Sequence, residues 1–299
     1  MKHNASVYVV AAQKGGVGKT SIVIQGSLIC STYLEKKTLL IDLDPQNNSS
    51  LRFVDKHKIK NHKGLTAEKL YEDNTSFEPI KGDYDIDVVP GSDKINTFPI
   101  DMQDNLLQII IDEFKTEKEA FNELTANQII KKTVEKQVLS FVKNVNELRG
   151  MYDYIFIDVP PSFLGLPLIS ALSVATDVVG VLNPDIFSAE VLPSFIKKVS
   201  EIKKDYNNSL RLRGFMINNV RGNSPTHKVR VEEWTKELGN QLIGEPIRVS
   251  TWIEECSAEG KPIWMKYPSS HKQSAINVLK TIICALPEAQ ETLNKRSGK

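Results

Sequence analysis

A glycine-rich loop follows the first apolar segment of the chain and reads Gln13-Lys14-Gly15-Gly16-Val17-Gly18-Lys19-Thr20. Glycines let the backbone curl closely around an anion, because a side chain at those positions would block the approach. Successive N–H groups and the start of the following helix then provide positive potential for phosphates. In such a loop Lys19 bridges the β- and γ-phosphates, and the Thr20 hydroxyl ligates Mg²⁺. The loop therefore predicts a site for a nucleoside triphosphate.

Around this loop, apolar runs of strand length alternate with helix-length amphipathic segments. Solidly apolar strands are typical of a sheet that helices cover on both faces. Their alternation with helices predicts an α/β fold with a doubly wound, mostly parallel sheet. We predict helices at residues 18–35, 101–115, 118–147, 188–205, 226–239 and 269–285. The predicted strands are Ser6–Ala12, Thr38–Leu43, Ile86–Pro90, Tyr154–Asp158, Val178–Asn183, Gly214–Asn218 and Leu242–Pro246.

Two segments are additions to this alternation, the polar residues 52–83 and the long helical residues 101–147. They are either peripheral helices at the sheet edge or a surface that docks a partner or supports a dimer. We predict a single domain over residues 1–286, followed by a polar and flexible tail at residues 287–299.

The composition limits the classes of protein to which the chain can belong. It is 40% hydrophobic and 25% charged with a net charge of +1, which excludes a disordered tail protein and a uniformly basic nucleic-acid packer. No apolar run is long enough to cross a bilayer. The cysteines are far apart and indicate reduced thiols in a cytoplasmic protein, not a metal site built from one chain. They are Cys30, Cys256 and Cys284.

Two carboxylates follow the second apolar strand. Asp42 and Asp44 lie at its carboxyl end, where sheets of this kind bind their ligands. Residues two apart on a strand point to the same side, so both can face the glycine-rich loop. One of them could hold Mg²⁺ through water while the other orients the attacking water for phosphoryl transfer. Capping of the following helix is the alternative interpretation of the pair.

A third carboxylate, Asp158, ends the apolar strand Tyr154–Asp158. This is a Walker B pattern, which places a carboxylate in the second coordination shell of Mg²⁺. An apolar strand that ends in aspartate is weak evidence alone, but here it follows two other motifs in the expected order. We therefore predict that Thr20, Asp42 and Asp158 form the magnesium site.

The glycine-rich loop departs from the common P-loop pattern GxxxxGK[ST], because Gln13 stands where that pattern has glycine. It carries a second lysine instead, and KGGVGKT resembles the deviant Walker A motif of the ParA/MinD superfamily, P-loop NTPases of the SIMIBI type. The resemblance implies that Lys14 reaches across a homodimer interface to the phosphates of the partner's ATP. Residues 42–46 resemble the DxDPQ motif of that family, which implies that Asp44 acts in hydrolysis.

Later segments extend the resemblance to about residue 265. Pro160-Pro161-Ser162 resembles the switch that senses the γ-phosphate, and the amide of Asn218 is implied to recognise adenine. Residues 246–263 resemble a late segment of the partition branch, with Cys256 where alanine is usual. The resemblance implies ATP contacts from Lys14, Gly15, Gly16, Val17, Gly18, Lys19, Thr20, Ser21, Asn218 and Pro246.

Members of this superfamily have several outputs, and the sequence favours one of them. The last residues form no amphipathic helix that would lie on lipid, so we expect no membrane binding. No cysteine pair suits an iron–sulfur reductase, no terminal tyrosine cluster is present, and nothing before the loop could be a helix-turn-helix. The remaining match is a short partition ATPase of the ParA type.

Local charge gives moderate support for DNA binding. Residues 193–280 contain fifteen lysines and arginines against nine acidic residues, in a chain that is nearly neutral. A dimer formed by ATP would double any weak basic surface, and phosphate contacts combine steeply. A solvated surface of mixed charge is the alternative. We predict contacts to DNA from Arg221, Lys228, Arg248 and Lys266.

The sequence thus predicts a Mg²⁺-dependent, intrinsically slow ATPase that forms a homodimer on ATP and binds DNA non-specifically. A ParB-like centromere-binding protein would stimulate hydrolysis, so that plasmid or chromosomal DNA is segregated by a cytoplasmic, nucleoid-associated protein. The alternative is an ATP-dependent positioning switch for a protein assembly, with no role on DNA. In that case residues 101–147 would carry the cargo.

Overall fold

The computed structural model describes residues 4–12, 14–73, 76–96, 123–161, 165–184, 191–265, 271–287 and 289–291. Within these ranges the strands are β1 (Ser6–Ala11), β2 (Thr38–Asp42), β3 (Ile80–Lys81), β4 (Ile86–Val89), β5 (Tyr154–Asp158), β6 (Asp177–Leu182) and β7 (Arg211–Ile217). They form one sheet in the order β3-β4-β2-β5-β1-β6-β7. Only the edge pair β3 and β4 is antiparallel among the pairs of this sheet. The predicted doubly wound, mostly parallel sheet is confirmed.

Helices cover both faces of this sheet. In chain order they are α1 (Lys19–Leu28), α2 (Lys56–Asn61), α3 (Glu123–Leu148), α4 (Leu166–Val174), α5 (Val191–Asp205), α6 (Pro225–Leu238), α7 (Thr251–Ala258) and α8 (Lys272–Ala285). A π-helix, Ile29–Tyr33, continues α1.

The central strands are apolar throughout because each of their faces meets a different core. In β1, Val7 and Val9 pack into the core under α3 to α6, whereas Tyr8 and Val10 pack into the core under α1, α7 and α8. This is the alternation that a strand imposes on successive side chains. Because β1 and β5 are central and adjacent, the loops at their carboxyl ends lie beside each other in the middle of the sheet.

The two additions to the sheet pack against each other. The ring of Tyr71, from the first addition, lies 5.0 Å from the ring of Phe141 in α3. The side-chain amide of Asn144 in α3 donates to the carbonyl oxygens of Leu70 and Glu72, both at 2.9 Å. The carboxyl-terminal half of α3 thus packs against residues 70–72 and contributes Phe141, Val145 and Leu148 to the core on one face of the sheet.

The predicted strand Leu242–Pro246 is wrong. Leu242 and Arg248 each form an isolated parallel bridge to the chain at or after β7, but Gly244 has φ 62° between them and interrupts the pairing. Glycine readily adopts this left-handed backbone, which departs from the extended conformation of a regular strand. The segment therefore runs beside β7 as an irregular edge.

Other boundaries moved for identifiable reasons. β7 begins at Arg211 instead of Gly214, since Arg211 pairs in a bidentate manner with Asp177 at 2.9 and 2.7 Å, and Arg213 lies 2.6 Å from the same carboxylate. Helix α4 was not predicted, because its residues are too uniformly apolar to show helical periodicity, and the short α2, α7 and β3 were not predicted either. The predicted helix at residues 101–115 lies outside the described residues.

Candidate functional site

The glycine-rich loop connects β1 to α1 and is held by two asparagines from the end of β7. Gly16 and Gly18 have φ of 72° and 92°, a backbone that favours glycine. Asn218 donates from its side-chain amide to the carbonyl oxygen of Val17 at 2.8 Å, and Asn219 donates to that of Gly16 at 3.0 Å. A Cβ at Gly18 would collide with the Asn218 amide. The loop is therefore fixed by contacts that only glycine permits.

Asn218 was predicted to recognise adenine, and the structure places it against the loop. Its amide nitrogen is engaged with Val17, so its side-chain oxygen is the atom that could accept from the amino group of adenine. Asn219, which the sequence analysis did not single out, has φ 59° and takes the second clamping position. The only signal in the sequence was the repeated asparagine after an apolar strand.

Lys19 lies in the first turn of α1 and is 6% exposed. Burial lowers its pKa, and the negative charges of Asp158 and Asp44 oppose that shift. The lysine that the motif assigns to the phosphates is thus brought together with two of the three predicted carboxylates. Asp42, Asp44, Asp158 and Lys19 are called the acidic corner below.

Within the acidic corner, Asp42 holds the loop that follows its own strand. It is fully buried, its Oδ1 accepts from the backbone N–H of Asp44 at 3.0 Å, and its Oδ2 accepts from the N–H and hydroxyl of Ser50 at 2.9 and 2.8 Å. Burial raises its pKa, and these hydrogen bonds oppose the shift. The carboxylate predicted for magnesium is therefore occupied in positioning Asp44.

Asp158 is the register partner of Asp42 on the neighbouring strand, and its environment is different. It is also fully buried, but within the described part of the chain neither of its oxygens accepts a hydrogen bond of ordinary geometry. Burial and the nearby Asp42 raise its pKa to about 7, while the hydroxyls of Thr20 and Ser49 and the charge of Lys19 oppose that rise. Among the described residues, Asp158 is thus a buried carboxyl whose neighbours are two hydroxyls and a lysine, none of them at ordinary hydrogen-bond geometry.

This combination fits Mg²⁺. The ion prefers oxygen ligands and keeps several of its waters, and an unsatisfied carboxylate next to the Thr20 hydroxyl offers both an oxygen and a negative charge. A bound ion or its water would supply the missing partner of Asp158. The geometry favours Asp158 and Thr20 over Asp42 for this role.

Asp44 is half-buried at the mouth of the corner. Its Oδ1 accepts from the backbone N–H of Gln46 at 2.9 Å, which fixes the turn after β2. Gly91, after β4, passes so close that a Cβ there would meet the carbonyl oxygen of Asp44 at 2.5 Å. The carboxylate predicted to act in hydrolysis is therefore held by the backbone N–H of Gln46, and the backbone of Asp44 is closely packed against Gly91.

The predicted DNA-binding residues that the structure describes meet at a second place. A pocket of about 590 Å³ lies between α6, α8 and the irregular edge segment, and we call it the basic pocket. Arg221, Lys228 and Arg248 line it and are exposed, and Glu232 and Glu245 line it as well. Pro246, predicted to contact ATP, also lies in this pocket. Lys266 lies outside the described residues.

Known proteins resemble this chain in sequence and in fold. The model of the AAA domain family matches residues 5–212. The chain belongs to this family. With its two-lysine loop and the relatives below, it is a P-loop ATPase of the ParA/MinD type, related to partition proteins.

Two relatives match this chain over most of its length. It is 26% identical over 265 residues to the sporulation initiation inhibitor protein Soj of Bacillus subtilis, covering 88% of this chain and 92% of the relative. It is 27% identical over 257 residues to the chromosome partitioning protein ParA of Myxococcus xanthus, covering 86% and 80%.

A solved structure shares the fold of the ATPase. Cobyrinic acid a,c-diamide synthase from Mycobacterium smegmatis, with a bound ATP analogue and magnesium, has a TM-score of 0.68 and 19% identity, covering 99% of this chain and 97% of the other. Because a synthase has this fold, the fold alone does not distinguish a partition ATPase from proteins with other functions. Among the described residues of the ATPase, no helix has the length and apolar character required to cross a membrane.

Proposed function

We propose that this ATPase is a ParA-like partition protein that uses ATP and Mg²⁺ to form a homodimer on DNA. The dimer binds DNA without sequence preference, and a ParB-like centromere-binding protein stimulates hydrolysis and release. Repeated binding and release would place the protein on the nucleoid and segregate plasmid or chromosomal DNA. The relative named chromosome partitioning protein ParA supports this function.

The proposal rests on the acidic corner, which lies behind a glycine-rich loop that carries a second lysine, Lys14. Lys19 interacts electrostatically with both Asp158 and Asp44. Gly15 and Gly16, directly after Lys14, are exposed. The phosphate side of the loop is therefore open to a second copy of the chain, whose Lys14 could approach there.

The residues of the corner have separate tasks in the proposed reaction. The N–H groups of residues 15–21 and the Lys19 side chain would hold the phosphates, and Thr20 and Asp158 would hold Mg²⁺. Bound Mg²⁺ would supply positive charge beside the phosphates. Asp44, held by Asp42, orients the attacking water. Lys14 of the partner adds positive charge as the transition state forms.

The basic pocket is the proposed DNA contact. One copy of Arg221, Lys228 and Arg248 gives little affinity, because Glu232 and Glu245 lie in the same pocket. A dimer presents two such groups on one rigid body, and the second contact then forms at a high effective concentration. DNA binding would depend on ATP for this physical reason.

Dimerisation in response to nucleotide tests the proposal. The mass of the wild-type particle in solution should double with ATP and Mg²⁺ but not with ADP. Lys14→Ala should bind ATP as a monomer and fail to dimerise. Lys37→Ala, an exposed lysine at the amino end of β2, is the matched control and should dimerise normally.

A wild-type protein that binds ATP but stays monomeric would contradict the proposal. Normal dimerisation of Lys14→Ala would contradict the role of that lysine. Dimerisation without any affinity for DNA would instead favour the positioning switch for a protein assembly.

A further inference from the structure

Ser49 carries a buried hydroxyl for which the described residues provide no hydrogen bond. The residue is fully buried in the turn that follows Asp44, and its Oγ has no partner of ordinary geometry. It nevertheless lies close enough to the carboxyls of Asp42 and Asp158 to oppose the rise of their pKa values. A buried hydroxyl without a partner is costly, and alanine would avoid that cost.

The neighbouring Ser50 shows what a purely structural serine does at this place. Its N–H and its hydroxyl both donate to Oδ2 of Asp42, at 2.9 and 2.8 Å. Ser50 therefore ties the turn to β2 and completes the hydrogen bonds of Asp42. Ser49 is equally buried, but among the described residues its hydroxyl makes no hydrogen bond of this geometry, and it lies near both Asp42 and Asp158.

We propose that the Ser49 hydroxyl is a further part of the magnesium site, where it holds a water of the bound ion together with Asp158. The proposal rests on the ATP and Mg²⁺ site of the proposed function. Mg²⁺ gives up its waters reluctantly, so a site with few protein ligands needs groups that hold the remaining waters. A hydroxyl both donates and accepts, and it can bridge a water and a carboxylate.

The test is the Mg²⁺ dependence of nucleotide binding in Ser49→Ala. A fluorescent ATP analogue is bound with increasing Mg²⁺, and once in EDTA. Binding in EDTA should equal that of the wild type. The Mg²⁺ concentration for half-maximal enhancement should rise on the order of tenfold, because groups around a metal's ligands typically contribute that much to metal affinity.

Two variants separate this role from a structural one. Ser27→Ala removes a fully buried hydroxyl that donates to the Val23 carbonyl oxygen of its own helix, and its Mg²⁺ dependence should match the wild type. Ser50→Ala should lower turnover through loss of the Asp42 contact, with a smaller change in Mg²⁺ dependence. The melting temperature of nucleotide-free Ser49→Ala should equal or exceed that of the wild type.

An unchanged Mg²⁺ midpoint in a folded Ser49→Ala protein would overturn the proposal. So would a lower melting temperature combined with an unchanged midpoint, which is the signature of a packing role. If ATP binding by the wild type itself ignored Mg²⁺, the magnesium site of the proposed function would fail, and Ser49 with it.

Discussion

The acidic corner and the basic pocket both lie where the chain leaves the carboxyl ends of strands, yet they are built differently. In the corner, Lys19, Asp42 and Asp158 are buried. The carboxylate of Asp42 accepts hydrogen bonds from the backbone N–H groups of Asp44 and Ser50. In the pocket, Arg221 and Arg248 are exposed side chains on an irregular edge. Buried charges tolerate few substitutions, because each needs a specific partner. The attraction of exposed charges for a binding partner depends on their sum.

This difference has a consequence for mutation. Single substitutions in the acidic corner should have large and specific effects on nucleotide binding. Single substitutions in the basic pocket should have small effects that add up and depend on salt.

The largest effect is expected for Lys19→Ala. Lys19 carries the buried ammonium group that the motif assigns to the phosphates, and charge-assisted hydrogen bonds contribute about 1.5–3 kcal/mol each. ATP affinity should fall at least about 100-fold, as measured by calorimetry. Lys37→Ala is again the control. Retention of wild-type affinity in Lys19→Ala would show that the loop is not the phosphate site.

A smaller effect is expected for Arg221→Ala combined with Arg248→Ala. In an ATP-bound dimer this removes four phosphate contacts, which should weaken binding to random-sequence DNA by roughly 10- to 100-fold and reduce the salt slope by about 3 to 4. ATP turnover without DNA should persist.

The control for the arginine pair is Lys56→Ala combined with Lys58→Ala, which removes the same charge from the exposed helix α2. If the control weakens DNA binding equally, the effect is one of net charge and the basic pocket has no special role.

The smallest effect is expected for Asp158→Asn, on the stability of the nucleotide-free protein. The pKa of Asp158 is raised to about 7 from an ordinary value of 3.8, mainly by burial and by Asp42. As the pH rises between those values, the unfolded chain ionises while the folded carboxyl stays protonated. The free energy of unfolding therefore falls across this window.

Asp158→Asn should remove much of that fall and be more stable at pH 8 by about 1–2 kcal/mol in urea unfolding. Asp153→Asn, at the amino end of β5, should retain the pH dependence. A variant less stable than the wild type at pH 8 would contradict the account of Asp158 as an unsatisfied buried acid.

The acidic corner was largely predictable from the sequence because its chemistry requires fixed residue types at fixed positions. The loop, Asp44 and Asp158 were assigned from motifs at the ends of apolar strands, and the structure brings them together. The separate tasks of Asp42 and Asp158 were not predictable, since they depend on which carboxyl Ser50 contacts. The same is true of Ser49 and Asn219, whose roles arise only when distant segments meet.

Away from the site, prediction failed where local pattern and tertiary contact disagree. Leu242–Pro246 has the apolar character of a strand, but Gly244 and the contacts of α8 fix it as an irregular edge. The packing of Tyr71 on Phe141 joins segments that are seventy residues apart, which no local periodicity reveals. The charged residues of the basic pocket follow no regular spacing in the sequence that would identify them as one site.

The most direct test of the partition account is binding of the wild type and of Lys14→Ala to random-sequence duplex DNA. Binding is measured with ATP, with ADP and without nucleotide, each at two salt concentrations. For a partition ATPase, binding should require ATP, fall steeply with salt and be lost in Lys14→Ala. Binding that is equal in all nucleotide states, or absent from a dimer that forms on ATP, would contradict it.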